Sequence, residues 1–188
     1  MGSDKGLVPF LGEPLVLRIY HRISSLADQI IIITNTPENY QFTGLPLVKD
    51  VKPGIGALGG LLTALECTNT PTIGLTACDM PFVNKNLFKM EFDLLETEGW
   101  DVVIPASREG LEPFHAVYRR EICLEAVKKA LEKGERKMIS WFSDVKVRVI
   151  PVEEVLLIDP LLNLFLNVNT REELFAAEEI AQQEEKPD

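Results

Sequence analysis

Asp79 is the residue whose setting speaks most directly of chemistry. It follows the apolar run Ile73 to Ala77 and is followed by Pro81, in the stretch PTIGLTACDMPF. An apolar strand that ends in one carboxylate and a proline presents that acid at the strand's carboxyl end. In open α/β sheets, ligands sit outside those ends, and a carboxylate there suits a hard divalent cation bound through oxygen. The same residue type also caps helices, so on this stretch alone Asp79 reads either as a metal ligand or as the cap of the next helix.

A second constellation is the glycine run. Gly54, Gly56 and Gly59 spell GxGxxG, and Asp79 lies 20 residues beyond Gly59, an imitation of the dinucleotide-binding fingerprint. Two features count against that reading. Asp50-Val51-Lys52-Pro53 separates the glycines from the preceding strand, and a helix and strand already stand upstream, so this is not the opening βαβ unit. Glycines ahead of a helix N-terminus still suit the close approach of a base, ribose or phosphate. Lys5 reads as a solvated lysine, Asn35 as a turn former after a strand, and Asp50 as the start of a turn. His115, beside Phe114, Val117 and Tyr118, reads as a satisfied core histidine or a site residue. Asn167 and Asn169 read as a strand end ahead of a cap or as site residues.

These side chains need elements to hold them. Residues 1 to 13 lack periodicity and read as a flexible loop. Pro14 opens a helix with an apolar stripe of Leu15, Ile19, Ile23 and Leu26. Gln29 to Thr34 is a β-branched run expected as a strand covered on both faces, and Leu45 to Val48 is a second strand. PGIGALGG reads as a loop, and LLTALEC as the helix after it. Asn84 to Glu98 is helical, with Leu87, Met90, Leu94 and Leu95 inward. Asp101 to Ala106 and Pro113 to Arg119 are strands joined by a polar turn. Glu121 to Lys133 is a helix on Ile122, Leu124, Val127 and Leu131, stopped by Gly134. Trp141 and Phe142 read as core, and Val145 to Val152 as a strand. Thr170 and Glu173 form a capping box, and residues 182 to 188 read as a frayed tail. Strands alternating with helices predict an α/β fold with a mainly parallel sheet, in one domain spanning 1 to 188.

Composition sets the outer bounds. The 188 residues carry a net charge of −10 and are 46% hydrophobic, enough for a sizeable core. So acidic a chain argues against nucleic acid or an anionic membrane as partner. No apolar run spans a bilayer, nothing resembles a signal peptide, and Cys67, Cys78 and Cys123 read as reduced core thiols in a cytoplasmic protein.

In order along the chain stand MGSDK, GEPL, an apolar strand ending in Asn, GALGGLLTAL, CDMPF, EPFHAVY and NVNT-x-EEL. Together these resemble the molybdenum cofactor guanylyltransferases, the molybdopterin-guanine dinucleotide biosynthesis protein A family, from Met1 to about Phe175. The resemblance implies a single Rossmann-like, three-layer nucleotidyltransferase domain. It implies transfer of GMP from GTP to molybdopterin with Mg²⁺, releasing pyrophosphate and forming molybdopterin guanine dinucleotide, with molybdoenzymes or cofactor-biosynthesis proteins as further partners. Residue by residue, Lys5 matches the lysine that neutralises the GTP phosphates, and Asn35 and Asp50 match positions contacting the guanosine. Gly59 and Gly60 let the backbone approach the nucleotide, and Asp79 matches the magnesium aspartate. Asn167 and Asn169, with Glu112 and His115 more loosely, fall on the molybdopterin side. GALGGL and CDMPF resemble the guanylyl rather than the cytidylyl branch. A nucleotidyltransferase using CTP or a sugar phosphate, or a nonenzymatic nucleotide-binding protein, is the alternative.

The sequence departs from that pattern at its start. Family members carry a strand and a glycine loop, LAGG-x-S-x-R, ahead of the segment that MGSDK matches, and here the sequence begins at Met1. The strand is expected inside the sheet, where each unpaired backbone group costs about 1–3 kcal/mol. A truncated start at an internal methionine is the preferred expectation, and a degenerate protein the other.

Overall fold

The computed structural model describes residues 4–184. Over residues 4–13 the expected flexible opening is instead ordered. Lys5–Leu7 form a 3₁₀ turn capped by Asp4, and Pro9–Phe10 (β1) pairs antiparallel with Glu13–Pro14 (β2). Leu11 and Gly12, at φ 49° and 91°, make the two-residue connection, both left-handed as such a tight hairpin requires. Phe10 is fully buried, and its burial ties this segment down. Apolar periodicity misses it, since a two-residue strand has no period.

The remaining elements follow in chain order: Leu15–Ile23 (α1), Ile32–Ile33 (β3), Leu47–Val48 (β4), Ala57–Cys67 (α2), Thr72–Thr76 (β5), Lys85–Glu98 (α3), Val102–Pro105 (β6), His115–Arg119 (β7), Arg120–Glu132 (α4), Val147–Ile150 (β8), Val152–Val155 (α5) and Arg171–Glu184 (α6). One sheet has the order β5-β7-β6-β8. β7 is antiparallel to β5 and β6, and β6 is parallel to β8. Hence β5, β6 and β8 run one way and β7 alone is reversed, returned by the polar turn after β6. β3 and β4 pair in parallel, Ile32 opposite Leu47 and Ile33 opposite Val48. The mainly parallel α/β architecture expected from the alternation is present, with one reversed strand.

Side chains alternate across the sheet, and two cores result. Val103 and Val117 pack with Leu87, Phe88 and Leu95 of α3. Val102, Ile104 and Tyr118 pack on the other face with Leu61 and Leu65 of α2, Val127 of α4 and Trp141. This is helix, sheet, helix: three layers. Among the described residues no helix is long and apolar enough to cross a membrane.

Several expectations are corrected. Ile30 to Ile33 are only half-buried, although the run reads as a doubly covered strand. Among the described residues β3 pairs with β4 alone and β5 with β7 alone. An apolar groove of about 650 Å³ runs along both, lined by Ile19 and Ile23 of α1, Ile31, Ile33, Leu61 and Leu75. Gly59 and Gly60 lie inside the first turn of α2, not in a loop. Within α3 the buried side chains include Phe88 and Glu91, and Ile122 of α4 faces solvent while Cys123 and Ala126 are buried. Cys78 is exposed and only Cys123 is a core thiol. α6 continues through Glu184 where fraying was expected from residue 182, and residues 185–188 lie outside the described residues, as do residues 1–3 of MGSDK.

Candidate functional site

The carboxyl ends of β3, β4 and β5 lead into Asn35, Asp50 and Asp79. Asp79 does not cap the following helix. Asn84 does, its Oδ1 accepting from the N–H groups of Asn86 at 2.8 Å and Leu87 at 3.3 Å. With the capping role taken, the Asp79 carboxylate faces Lys5, whose Nζ is 2.8 Å from Oδ2. Lys5 Nζ also donates to Asn169 Oδ1. Three residues from the start, middle and end of the chain meet at one point. Their partial exposure, 38% for the Lys5 side chain and 15% for that of Asp79, leaves the pair open to a ligand.

Each member is held by its own neighbourhood. Asp4 fixes the Lys5 turn by accepting hydrogen bonds from the Tyr40 hydroxyl and from Thr36 Oγ1, the latter at 3.2 Å. Burial and the bond to Asp4 push the Tyr40 phenol far above its ordinary range, so it remains a donor at neutral pH. Next to Lys5, a Cβ on Gly6 would stand 2.6 Å from the Tyr40 hydroxyl, so this close approach demands glycine. Asn169 is held by the capping box of α6. Glu173 accepts from the Asn169 and Thr170 N–H groups at 2.6 and 3.0 Å, and Thr170 Oγ1 accepts from the Glu173 N–H at 3.1 Å. Those two backbone bonds hold the Glu173 carboxyl below its usual value.

The loop from Asp79 to Asn84 is pinned at several points. Val168 N–H donates to the Asp79 carbonyl at 2.9 Å. Arg18 Nε donates to the Pro81 carbonyl at 3.1 Å, and Arg22 Nε to the Val83 carbonyl at 2.9 Å. Arg18 also lies over the Phe10 ring, 4.6 Å from its centroid. Sequence reasoning passed over both arginines and over Asp4, Thr36 and Tyr40. The arginines carried a signal, since a spacing of four puts them on one helical face; the other three did not.

Asn35 and Asp50 form a second pair, Asn35 Nδ2 donating to Asp50 Oδ2 at 3.0 Å. Parallel pairing of β3 and β4 brings their ends together. Buried Thr63 of α2 accepts from Val51 N–H at 3.1 Å and donates to the Gly59 carbonyl at 2.9 Å, fastening the Asp50 turn to the helix. A Cβ on Gly59 would meet Ile55 Cβ at 3.0 Å and the Lys52 carbonyl at 3.3 Å, whereas Gly60 faces open space. The missing side chain of Gly59 therefore serves loop-on-helix packing, and Gly60 is the glycine that leaves room for something else.

The remaining candidates divide. Asn167 turns back on its own loop, its Nδ2 donating to the Phe165 carbonyl at 3.2 Å. Glu112 is half-buried, and desolvation holds its carboxyl above the usual range. His115 is fully buried, the setting of a satisfied core histidine. Its ring is enclosed by Phe88, stacked at 4.1 Å, and by Phe165, perpendicular to it at 6.1 Å.

Among the described residues no group of three His, Cys, Asp or Glu side chains is placed to hold a metal by itself. A lone carboxylate fits a magnesium-type ion, which keeps waters and takes one or two carboxylates plus substrate phosphates. Beside an ammonium group and an amide, the arrangement can neutralise and orient a polyphosphate.

Residues 1–147 match the family model of the MobA-like NTP transferase domain. The molybdenum cofactor guanylyltransferase of Desulfosudis oleivorans is 32% identical over 177 residues, covering 94% of this chain and 87% of that protein. The probable molybdenum cofactor guanylyltransferase of Peptoclostridium acidaminophilum is 30% identical, covering all of this chain and 86% of that one. Among solved structures, molybdopterin-guanine dinucleotide biosynthesis protein A from Archaeoglobus fulgidus superposes with a TM-score of 0.82 at 25% identity, over 97% of this chain and 92% of that one. The 2-C-methyl-D-erythritol 4-phosphate cytidylyltransferase of Thermus thermophilus shares the fold at 14% identity and a TM-score of 0.71, over 95% and 94% of the two chains. Matched by the family model over residues 1–147 and 32% identical to a molybdenum cofactor guanylyltransferase over 94% of its length, the chain belongs to the MobA-like NTP transferase family of nucleotidyltransferases.

Proposed function

We propose that this protein transfers GMP from GTP to the terminal phosphate of molybdopterin, forming molybdopterin guanine dinucleotide and releasing pyrophosphate. The observation that carries this reading is the convergence of Lys5, Asp79 and Asn169 at the end of β5. A phosphate oxygen of the acceptor attacks the α-phosphorus of GTP, the bond from that phosphorus to the bridging oxygen breaks, and pyrophosphate departs with the electron pair. The nucleophile is already anionic and needs no general base, so positioning and charge neutralisation supply the catalysis.

The residues then take distinct roles. Lys5 donates to the triphosphate. Proteins of this family generally use a divalent metal; Mg²⁺ fits the single carboxylate, and Asp79 would hold it where it spreads charge from the reacting phosphate. Asn35 and Asp50 take the base and ribose, with Gly60 allowing the backbone approach. An ionised Asp50 is an acceptor only, which suits the N–H donors along the pairing edge of guanine. Asn169, with Asn167 and Glu112 at the rim, faces the pterin side. The chain works as one domain, a reading supported by the two cores that share one sheet; it acts in the cytoplasm and hands its product to molybdoenzymes or cofactor-biosynthesis proteins.

The test is a panel of GTP, CTP and UTP with Mg²⁺ and molybdopterin, read by pyrophosphate release and by product mass. Turnover with GTP above the others is expected. Turnover with CTP instead establishes the cytidylyl reading, and nucleotide binding without turnover establishes a nonenzymatic protein.

A further inference from the structure

Glu91 of α3 and His115 of β7 are both fully buried, with His115 Nδ1 3.0 Å from Glu91 Oε1. Glu91 Oε2 is buried and has no hydrogen-bond partner among the described residues. A buried polar pair with an orphaned oxygen is costly, and an apolar pair would fill the space more cheaply. Such a group calls for an explanation.

The hydrogen bonds fix the protonation pattern. The backbone N–H of Asn84 donates to His115 Nε2 at 3.2 Å, so Nε2 is an acceptor and the ring proton sits on Nδ1, from which it donates to Glu91. Burial pushes His115 down to about 3 and Glu91 well above its usual value, which leaves both groups neutral. Asn84 is where the Asp79 loop ends and where α3 is capped. The imidazole also makes a T-shaped contact with Phe165, centroids 6.1 Å apart, in the turn that leads to Val168 and Asn169, and Val168 N–H in turn holds the Asp79 carbonyl.

We infer that His115, held by Glu91, is a positioning residue that sets the spacing between the Asp79 loop and the Asn169 loop, and through them the alignment of Lys5, Asp79 and Asn169. The inference rests on the transferase reading for its kinetic test, but its structural test does not. The imidazole acts through its hydrogen bond from the Asn84 amide and its contact with Phe165.

Two isosteric variants separate the contacts. His115→Asn keeps a donor toward Glu91 and loses the acceptor for Asn84 N–H; His115→Gln keeps that acceptor and loses the bond to Glu91. Both are compared with Val127→Ala, a truncation in the opposite core, below the unfolding midpoint of every variant. His115→Asn is expected to lose about 10- to 100-fold in kcat, the range for removal of a group that orients site ligands, with KM for GTP little changed. His115→Gln is expected to recover most of that loss, and Val127→Ala to lose stability without kcat. Equal kcat in His115→Asn and Val127→Ala at equal stability overturns the inference. The activity-free readout is the imidazole ¹⁵N spectrum together with exchange of the Asn84 amide. A neutral Nδ1–H tautomer and a protected amide support the assignment even where the wild type shows no transfer, and a charged or Nε2–H ring overturns it.

Discussion

Lys5 Nζ stands 2.8 Å from Asp79 Oδ2 across 74 residues of sequence. The two charges satisfy each other. In the transfer reaction proposed above each would gain a stronger partner, phosphate for the ammonium and a divalent cation for the carboxylate, and on that reading the pair is a resting state that ligand binding exchanges.

Asp79→Ala is expected to lower kcat by about 100- to 1000-fold, the scale for removing one electrostatic stabiliser of a transition state, while the unfolding midpoint changes little. Mg²⁺-dependent pyrophosphate release measures the first, and thermal denaturation the second. Wild-type turnover in this variant would remove Asp79 from the metal role.

Replacing Lys5 with methionine removes a charged hydrogen-bond partner of the triphosphate while keeping the length of the stem. Nucleotide affinity is expected to fall about 10- to 100-fold, following the 1.5–3 kcal/mol typical of bonds to charged groups. Calorimetric titration with GTP and Mg²⁺ reads it directly. Unchanged affinity would mean that Lys5 serves only to neutralise Asp79.

The buried Glu91 and His115 pair gives stability a defined pH dependence. The ordinary values are 4.5 for Glu91 and 6.5 for His115, and folding raises the first and lowers the second to about 3. Between about pH 3 and 4.5 the unfolded chain binds one more proton at these groups than the folded one, so stability falls toward acid. Between 4.5 and 6.5 the two states bind equal numbers, and above 6.5 the folded state holds the extra proton on Glu91, so stability falls as pH rises. Each limb has a slope of about 1.4 kcal/mol per pH unit. Glu91→Gln abolishes the alkaline limb, so its deficit relative to wild type should shrink between pH 6 and pH 8 in urea denaturation. A deficit constant over that range would mean that Glu91 is ionised in the folded protein.

Amide exchange should map the groove between β3 and β5. Ile32 and Thr34 donate their N–H groups to β4, to the carbonyls of Pro46 and Val48 at 2.9 Å each, so those of Ile31 and Ile33 point away from it. On β5 the bond from Arg120 N–H to the Pro71 carbonyl sets the antiparallel alternation, which turns Ile73 and Leu75 toward β7 and Gly74 and Thr76 toward the groove. Faster exchange is expected at Ile31, Ile33, Gly74 and Thr76 than at Ile73 and Leu75. Equal protection would show that the groove is closed in solution.

Thr170→Ala removes one half of the α6 capping box and should lower stability by about 1 kcal/mol. Asn169 precedes that box and shares its glutamate, so apparent affinity for the phosphate-bearing acceptor should weaken as well. A stability loss alone would separate the cap from the site.

Local sequence determined what local physics controls. The Leu15, Ile19 and Ile23 part of the α1 stripe (Leu26 falls beyond the helix), the Thr170–Glu173 capping box, the stop at Gly134 and the reversal of β7 after its polar turn follow from period, cap and turn chemistry, and are present. The carboxylate beyond the end of β5 was legible for a similar reason, because the apolar run and Pro81 bracket the loop that carries Asp79. The flexible opening and the doubly covered β3 were misread, because Phe10 is ordered by burial against distant residues and the cover of β3 depends on what pairs with its other edge. His115 shows the same division: its aromatic neighbours are visible in sequence, but its enclosure by Phe88 and Phe165 and its bond to Glu91 exist only after α3, β7 and the 163–165 turn have packed. Which end of the chain supplies the lysine for Asp79, and which loop supplies Asn169, are choices among contacts separated by 74 and 164 residues. Nothing in local spacing encodes such contacts, and only closure of the whole sheet with its helices brings them within hydrogen-bond reach.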